Sequence, residues 1–442
     1  MKQYSNLIKL VIPMILCAPA VKATTLSEVW SQIKANSPAQ EASKLQEQSL
    51  QESVDRSSKH WLPKVYLDVK AYRTNDPGNS FFGLLEQRKV EQADFSPNLL
   101  NHPDSSTYTR GAIGLDLPLY EGGMKKNQVE LYKHTLTAQK SNTLQVEIEQ
   151  YSQVSQAYGS IAVLKNQIDK LNGISNEIQK LLKSYQIGQK SNPVGYSGLL
   201  GMKSLSNRLT GLIEQFKSQQ AVYYKMIGVM GFSESNWSPE FENTVKYIDK
   251  NMSSRAVEDG SYKTDSFAQN AEAASSVADM EKARFLPRVG AFAETYAFKG
   301  ERDIANGYNA GLYMQWSLFD PADLGRVKEA KLKAQSYTKQ VQALLQQETA
   351  EKNGAIESDQ AMRTNLKLLD DSDKLLNEQM QVAGTLFRNG SITALQLVEI
   401  LNRRTDLVVQ QVEIETNLLK IAAQKITKTK FEIPVQQNGG GR

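Results

Sequence analysis

The sequence predicts a mixed α and β membrane protein built on an internal structural duplication, and three observations lead there. Trp61-Leu62-Pro63-Lys64-Val65 returns as Phe285-Leu286-Pro287-Arg288-Val289. Each copy opens two alternating apolar and polar stretches, the second closing at Leu119-Tyr120-Glu121-Gly122 or at Leu318-Phe319-Asp320-Pro321. Each closing motif then leads into a very long run without internal proline. A strand-strand-long-helix unit used twice is one supersecondary unit repeated, and such a repeat organises everything read after it.

Length and charge bound the problem. A chain of 442 residues could hold two or three domains, yet no Pro/Gly/Ser-rich linker divides it. The net charge is +4, from 52 basic and 48 acidic residues, so no electrostatic footprint for nucleic acid is present.

Residues 1–23 read as a secretory signal peptide. Lys2 and Lys9 precede an apolar run from Leu10 to Leu16, and small residues follow at Ala18-Pro19-Ala20 and Val21-Lys22-Ala23, which sets cleavage after Ala20 or Ala23. The run is too short to span a bilayer. Cys17 is the only cysteine, and lipidation there would want a small residue where Leu16 stands, so it is expected to leave with the signal. The mature chain then has no disulfide or thiol chemistry. No later stretch has the apolar length of a transmembrane helix. The mature chain is therefore either soluble, with an ordinary sheet that has a solvated face, or spans the outer membrane as a barrel of alternating strands, the reading favoured by the aromatic residues near the strand ends.

The first repeat is read over 24–230. Leu26, Val29, Trp30 and Ile33 recur at helical spacing up to the break at Asn36-Ser37-Pro38, and a second helix runs from Ala39 to His60. A strand pair follows at about 62–73 and 108–120. Val65, Leu67, Val69 and Ala71 alternate with Lys64, Tyr66, Asp68, Lys70 and Tyr72, and Ile113, Leu115, Leu117 and Leu119 alternate with Arg110, Ala112, Gly114 and Asp116. A long helix is expected over 122–188 and a return helix over 194–230. Residues 231–260, polar and carrying Trp237-Ser238-Pro239, read as an equatorial segment outside the helices.

The second repeat is read over 261–428, with a helix, a strand pair at about 286–299 and 306–319, a long helix at 322–389 and a return helix at 393–428. Residues 429–442 read as a flexible C-terminal tail. The two hairpin connections differ: Thr74 to Thr107 is long and holds Pro77, Gly78, Pro97 and Pro103, whereas Lys299 to Asn306 is short. Phe81, Phe82 and Phe95 are expected to pack the long loop against itself. Trp61, Tyr66, Tyr72, Tyr108, Tyr120, Tyr308, Tyr313 and Trp316 cluster near strand ends, as an interfacial aromatic girdle would.

The long helices carry the strongest signal. Gly123 to Gly188 would extend roughly 100 Å at about 1.5 Å per residue. Leu164, Ile168, Leu171, Ile174, Ile178 and Leu181 fall at coiled-coil spacing in a surface otherwise rich in Gln, Ser and Lys. Gly188 and Gly390 suit left-handed caps where each helix reverses. Four strands cannot close a barrel, since small barrels need about eight, so a spanning structure requires more than one copy.

Taken together, the Leu-Pro openings at Leu62-Pro63 and Leu286-Pro287, the strand exits, and the tip turns at Gly188 and Gly390 make the mature chain resemble the TolC-type outer membrane efflux family. The resemblance implies a homotrimer in the cell outer membrane: twelve strands, four per chain, close one β-barrel that continues into a long periplasmic α-helical barrel. It also implies partners, namely a periplasmic adaptor (membrane fusion) protein docking at the tip turns and an inner membrane pump or secretion ATPase. Gly122, Gly123 and Pro321 then mark the strand-to-helix transitions, where Gly supplies unusual backbone angles and Pro suits a helix start.

Within that resemblance the family's acidic rings fall on Gln396 and Glu399, so that one ring keeps its charge, and three copies of Glu399 would favour cations. The family's basic tip link falls on Ile392 and its partners near Pro193 and Val194, which replaces a polar lock with an apolar contact. Asp370, Asp371 and Asp373 read as a solvated face.

Catalytic signatures are missing. His60, His102 and His134 lack metal-ligand spacing, and no phosphate-binding glycine loop or nucleophile elbow occurs. Gly195, Gly198, Gly201 and Gly211 suit close helix packing. The expectation is a non-enzymatic protein without a cofactor, a passive exit duct for tripartite efflux or type I secretion. The rival is a trimeric coiled-coil surface protein or adhesin without a pore.

Overall fold

The computed structural model describes residues 22–184, 193–234, 236–253 and 260–434. In chain order the elements are β1 (Lys22–Thr24), α1 (Leu26–Asn36), α2 (Pro38–Ser58), β2 (Lys64–Thr74), α3 (Pro77–Glu86), α4 (Pro97–Asn101), β3 (Ser106–Glu121), α5 (Met124–Ser184) and α6 (Pro193–Val229). There follow β4 (Trp237–Pro239), α7 (Thr244–Asn251), α8 (Tyr262–Ala283), β5 (Arg288–Lys299), β6 (Ile304–Gln315), α9 (Arg326–Arg388) and α10 (Ala394–Thr427). Helices α5 and α9 hold 61 and 63 residues. Among the described residues no helix is long and apolar enough to cross a membrane.

The duplication in sequence is not a division in space. One compact unit takes residues 1–42, 144–262 and 346–442, and the other takes 43–143 and 263–345. Both strand pairs lie in the second unit, while the far halves of α5 and α9 lie in the first with α6 and α10.

The first unit is helical and has two cores. One joins Leu164, Ile168, Leu171, Ile174 and Ile178 of α5 to Met202, Leu205, Leu209 and Ile213 of α6 and to Leu397, Leu401, Val408 and Val412 of α10. These residues recur three, four or seven apart, the spacing that keeps an apolar seam facing a neighbouring helix. The other core is aromatic. Tyr158 stacks on Trp237 at 5.9 Å and on Tyr247 at 5.8 Å. Its hydroxyl donates to the Thr24 carbonyl at 2.7 Å and accepts the Glu240 N–H at 2.7 Å. Tyr247 donates to the Ser155 carbonyl and Tyr151 to that of Asn251. Burial pushes the Tyr151 phenol up to about 12 and that of Tyr158 higher still, so both hydroxyls remain protonated donors. The segment around β4 and α7 is thus clamped to α5 by buried phenols.

Three sequence expectations change in this unit. Residues 429–434 are not a loose tail: Phe431 is buried and stacks on Tyr151 at 5.8 Å, and Ile433 packs against the same core. Their apolar side chains have a waiting aromatic surface; residues 435–442 lie outside the described residues. Lys22 and Ala23, inside the expected signal, belong to β1, which pairs in parallel with β4. Cleavage after Ala20 keeps that strand whole. Finally, Asp370 is not merely solvated: its carboxylate accepts from Gln411 at 3.1 Å, whereas Asp371 pairs outward with Lys374.

The second unit carries one antiparallel sheet in the order β2-β3-β5-β6. Val65, Leu67 and Val69 are 67%, 71% and 64% exposed on one face. Leu115 and Ile113 of β3 and Leu312 and Met314 of β6 lie on that face by register, and all are exposed. At Leu119 the β3 register slips by one residue: Pro118 opposes Gly290 and Tyr120 opposes Val289, so one extra residue stands between. The bulge accommodates Pro118, which has no N–H for the ladder, and moves Tyr120 to the apolar face. Strand β6 ends at Gln315 rather than near 319, because Gln315 opposes Arg288, the first residue of β5. The loop from 75 to 105 is not irregular but holds α3 and α4.

Glu415 offers a direct test of the helical unit. Its carboxylate accepts from Gln167 at 2.9 Å and Thr244 at 2.8 Å, and burial holds its pKa above the usual glutamate value. The folded state therefore binds this proton more tightly than the unfolded chain, and stability from this group falls as pH rises from the usual glutamate value through the raised one. Glu415→Gln removes the charge while keeping an acceptor. Thermal melts followed by circular dichroism should show the variant at least as stable at neutral pH and with a flatter acid-side pH profile.

Candidate channel wall and tip

The two faces of the sheet differ in chemistry. On the face opposite Val65 and Leu67, aromatic rings lie across glycines of the neighbouring strand: Tyr66 opposes Gly114, Tyr313 opposes Gly290, Phe292 opposes Gly311 and Tyr296 opposes Gly307. A Cβ at Gly114 would stand 2.2 Å from Tyr66, so the ring occupies the space a side chain would need. Such cross-strand pairs restore contacts that a glycine lacks, and they keep the rings flat on the sheet. Arg110 pairs with Glu294 and lies over the Tyr296 ring at 4.7 Å. Tyr66 donates to Glu294 at 3.3 Å and Tyr313 to Asp116 at 3.0 Å. This face is therefore polar, with rings lying over glycines and with Arg110, Glu294 and Asp116 held by hydrogen bonds.

Those pairings correct the aromatic girdle. Tyr66, Tyr72, Tyr108 and Tyr313 stand on the polar face; Tyr108 is buried between Tyr72 and Phe298, both at 5.6 Å. Tyr120 and Tyr308 remain on the apolar face by register. Trp61 and Trp316 flank the strands and are exposed.

One end of the sheet is locked by a cluster not foreseen in the sequence. Asp94 receives both terminal nitrogens of Arg302, at 2.6 and 2.7 Å, and Arg302 also donates to the Lys89 carbonyl. Bidentate pairing of this kind fixes geometry as well as charge. The Arg302 hydrogen bonds, with the Glu91 N–H, hold the Asp94 carboxyl below the usual range. Gln87 bridges the Gly83 carbonyl to the N–H groups of Arg302 and Asp303. Phe81 packs edge-on to Phe82 and Phe95, so the long loop does fold on itself, and it also clasps the short hairpin turn. The signal available beforehand was only an Asp and an Arg more than two hundred residues apart.

The strand-to-helix transitions rest on backbone geometry. Gly122 and Gly123 have φ of 64° and 84°, where only glycine sits without strain. A Cβ on Gly122 would meet the Ala283 carbonyl oxygen at 2.5 Å. In the second repeat Pro321 opens a short 3-10 turn capped by Asp320, not the long helix itself. That helix begins after Gly325, with φ of 81°, a position the sequence reading missed.

At the other end of α9 the chain reverses through Gly390, with φ of 73°. Ser391 N–H donates to the Leu386 carbonyl and Gly390 N–H to that of Phe387, which closes the helix end as a Schellman turn. Thr393 then caps α10 reciprocally with Gln396. Gln396 is thus committed to the cap. Ile392 is partly buried against the helical core of its own chain. Glu399 is exposed, but it accepts from Arg403 at 3.0 Å. Pro193 and Val194 begin α6, and Gly188 lies outside the described residues. Asp406 pairs with Arg208 of α6, and Arg404 with Glu177 of α5 at 2.7 Å. Among the described residues no group of His, Cys, Asp or Glu could hold a metal ion.

Residues 29–198 match the family model described as outer membrane efflux protein, so the resemblance read from the sequence holds. The fold agrees over nearly the whole chain. It is similar to VceC, an outer membrane protein of Vibrio cholerae, with a TM-score of 0.74, 13% identity and coverage of 92% and 97% of the two chains. It is similar to a membrane protein from Pseudomonas aeruginosa at 0.76, with 11% identity and coverage of 94% and 93%. For the CmeC outer membrane channel of Campylobacter jejuni the values are 0.72, 12%, and 92% and 87%. No curated protein matches by sequence.

The transition glycines give a contrast to measure. Gly122→Ala combines a left-handed backbone with a backbone clash, and should cost about 1–3 kcal/mol and reduce the yield of folded protein. Gly325→Asn meets open space and a residue type that tolerates the left-handed region, so its thermal midpoint should stay near that of the wild type.

Proposed function

We propose that this chain is one protomer of a homotrimeric outer membrane channel, three copies of which close a twelve-stranded β-barrel that leads into a periplasmic helical barrel. The channel gives passive exit to substrates of a tripartite efflux pump or a type I secretion system. A periplasmic adaptor docks on the tip turns at Gly188 and Gly390, and an inner membrane pump or secretion ATPase supplies the energy.

The observation that carries this reading is the sheet itself. Among the described residues β2 pairs only with β3, and β6 only with β5. Each therefore presents an edge of unmade backbone hydrogen bonds beside an exposed apolar face. In hydrocarbon every such edge must be closed, and closure by like copies is the economical solution. Three copies give twelve strands, above the minimum of about eight for a barrel. The apolar face then meets lipid, while the polar face, with its Arg110–Glu294 pair and its rings laid over glycines, lines water. Helices with one apolar seam and one polar side suit the wall of a water-filled tunnel. The structurally similar VceC and CmeC, an outer membrane protein and an outer membrane channel, support the same placement.

Reconstitution into planar bilayers tests the reading against the rival. Purified protein should give discrete, steady conductance steps with the mass of three copies. A coiled-coil adhesin would give a trimer of similar mass and no conductance, and that result would overturn the proposal.

A further inference from the structure

The exposed side of α10 is a continuous polar line. Glu399, Arg403, Asp406, Gln410 and Glu413 recur four and three residues apart and are all exposed, opposite the buried Leu397, Leu401, Val408 and Val412. In the single chain this line is open to water. Near the tip its charges alternate in sign. Arg403 donates to Glu399 at 3.0 Å, both side chains being 60% exposed, and Asp406 is paired with Arg208. The neighbouring Arg404 is matched by Glu177.

We infer that Arg403 is a specificity-determining residue of the proposed channel: it cancels the charge of Glu399, so that the tip passage does not select cations. The inference rests on the trimeric channel reading, in which the exposed line of α10 faces the passage and each of these residues becomes a ring of three. Residues four apart on a helix are separated by about 6 Å along its axis. Salt screens charge over about 8 Å at physiological strength, so an ion that meets the glutamates also feels the arginines. The cancellation does not need a persistent ion pair, since exposed pairs add little stability. It needs only that one helix face fixes both charges one turn apart. A lone glutamate ring at this position would favour cations; the paired rings remove that preference.

The test is the reversal potential across planar bilayers in a salt gradient, for the trimeric wild type and four variants. The wild type should be nearly non-selective. Arg403→Gln should raise the cation-to-anion permeability ratio several-fold, more at low salt than at high. Glu399→Gln should lower it, and the double variant should return to the wild-type value. Arg403→Lys, which keeps the charge, should match the wild type and shows that any effect of Arg403→Gln is electrostatic. Conductance with an unchanged ratio in Arg403→Gln overturns the inference and leaves the channel reading standing. A wild type without conductance overturns the channel reading, and the inference falls with it.

Discussion

A β-sheet edge is a row of backbone donors and acceptors, and this sheet has two of them, at β2 and β6. In water such edges invite unwanted pairing; in hydrocarbon each unsatisfied group costs several kcal/mol. In the proposed channel the exposed apolar row of Val65, Leu67 and Val69, with Leu312 and Met314 on the same face, meets hydrocarbon. The rest of the molecule can be read as a response to that constraint. Edges that must meet like edges require a defined register, and register requires that the strands enter and leave the sheet at fixed points.

Those points are set by backbone geometry rather than by side-chain packing. Gly122 and Gly123 turn the chain after β3, and the short turn at Pro321 with Gly325 does so after β6. At the opposite end the Asp94–Arg302 pair and Gln87 tie the long loop to the short hairpin turn. Between these anchors, rings laid over glycines hold the strands close without filling the space above them. The polar side is thereby covered by rings lying over glycines and by hydrogen-bonded charged groups. In the helical unit the same division recurs, with apolar seams inward, polar lines outward, and buried phenols clamping the equatorial segment to α5.

Much of this was legible because period is a robust signal. The alternation of Val65, Leu67 and Val69 and the seam of Leu164, Ile168 and Leu171 each require only counting, and the left-handed turn at Gly390 needs only a glycine at a helix end. What escaped detection depends on distant partners. The bulge at Leu119 follows from the fit of β3 to β5, and the early end of β6 follows from where β5 begins. Tyr66 and Tyr313 look like girdle residues until their glycine partners are known. Phe431 looks like tail until Tyr151 is placed beneath it. Arg403 was four residues from Glu399 in plain view, yet its weight emerges only once both share an exposed helix face.

The central claim is that the outer edges of β2 and β6 are closed by other copies of the chain. Amide hydrogen exchange of the protein in detergent, resolved to single residues along β2 and β6, measures this directly. The edge amides of both strands should be protected to the same degree as those of β3 and β5, which are paired on both sides. Rapid exchange confined to the outward amides of β2 and β6, beside slow exchange in β3 and β5, would contradict the account.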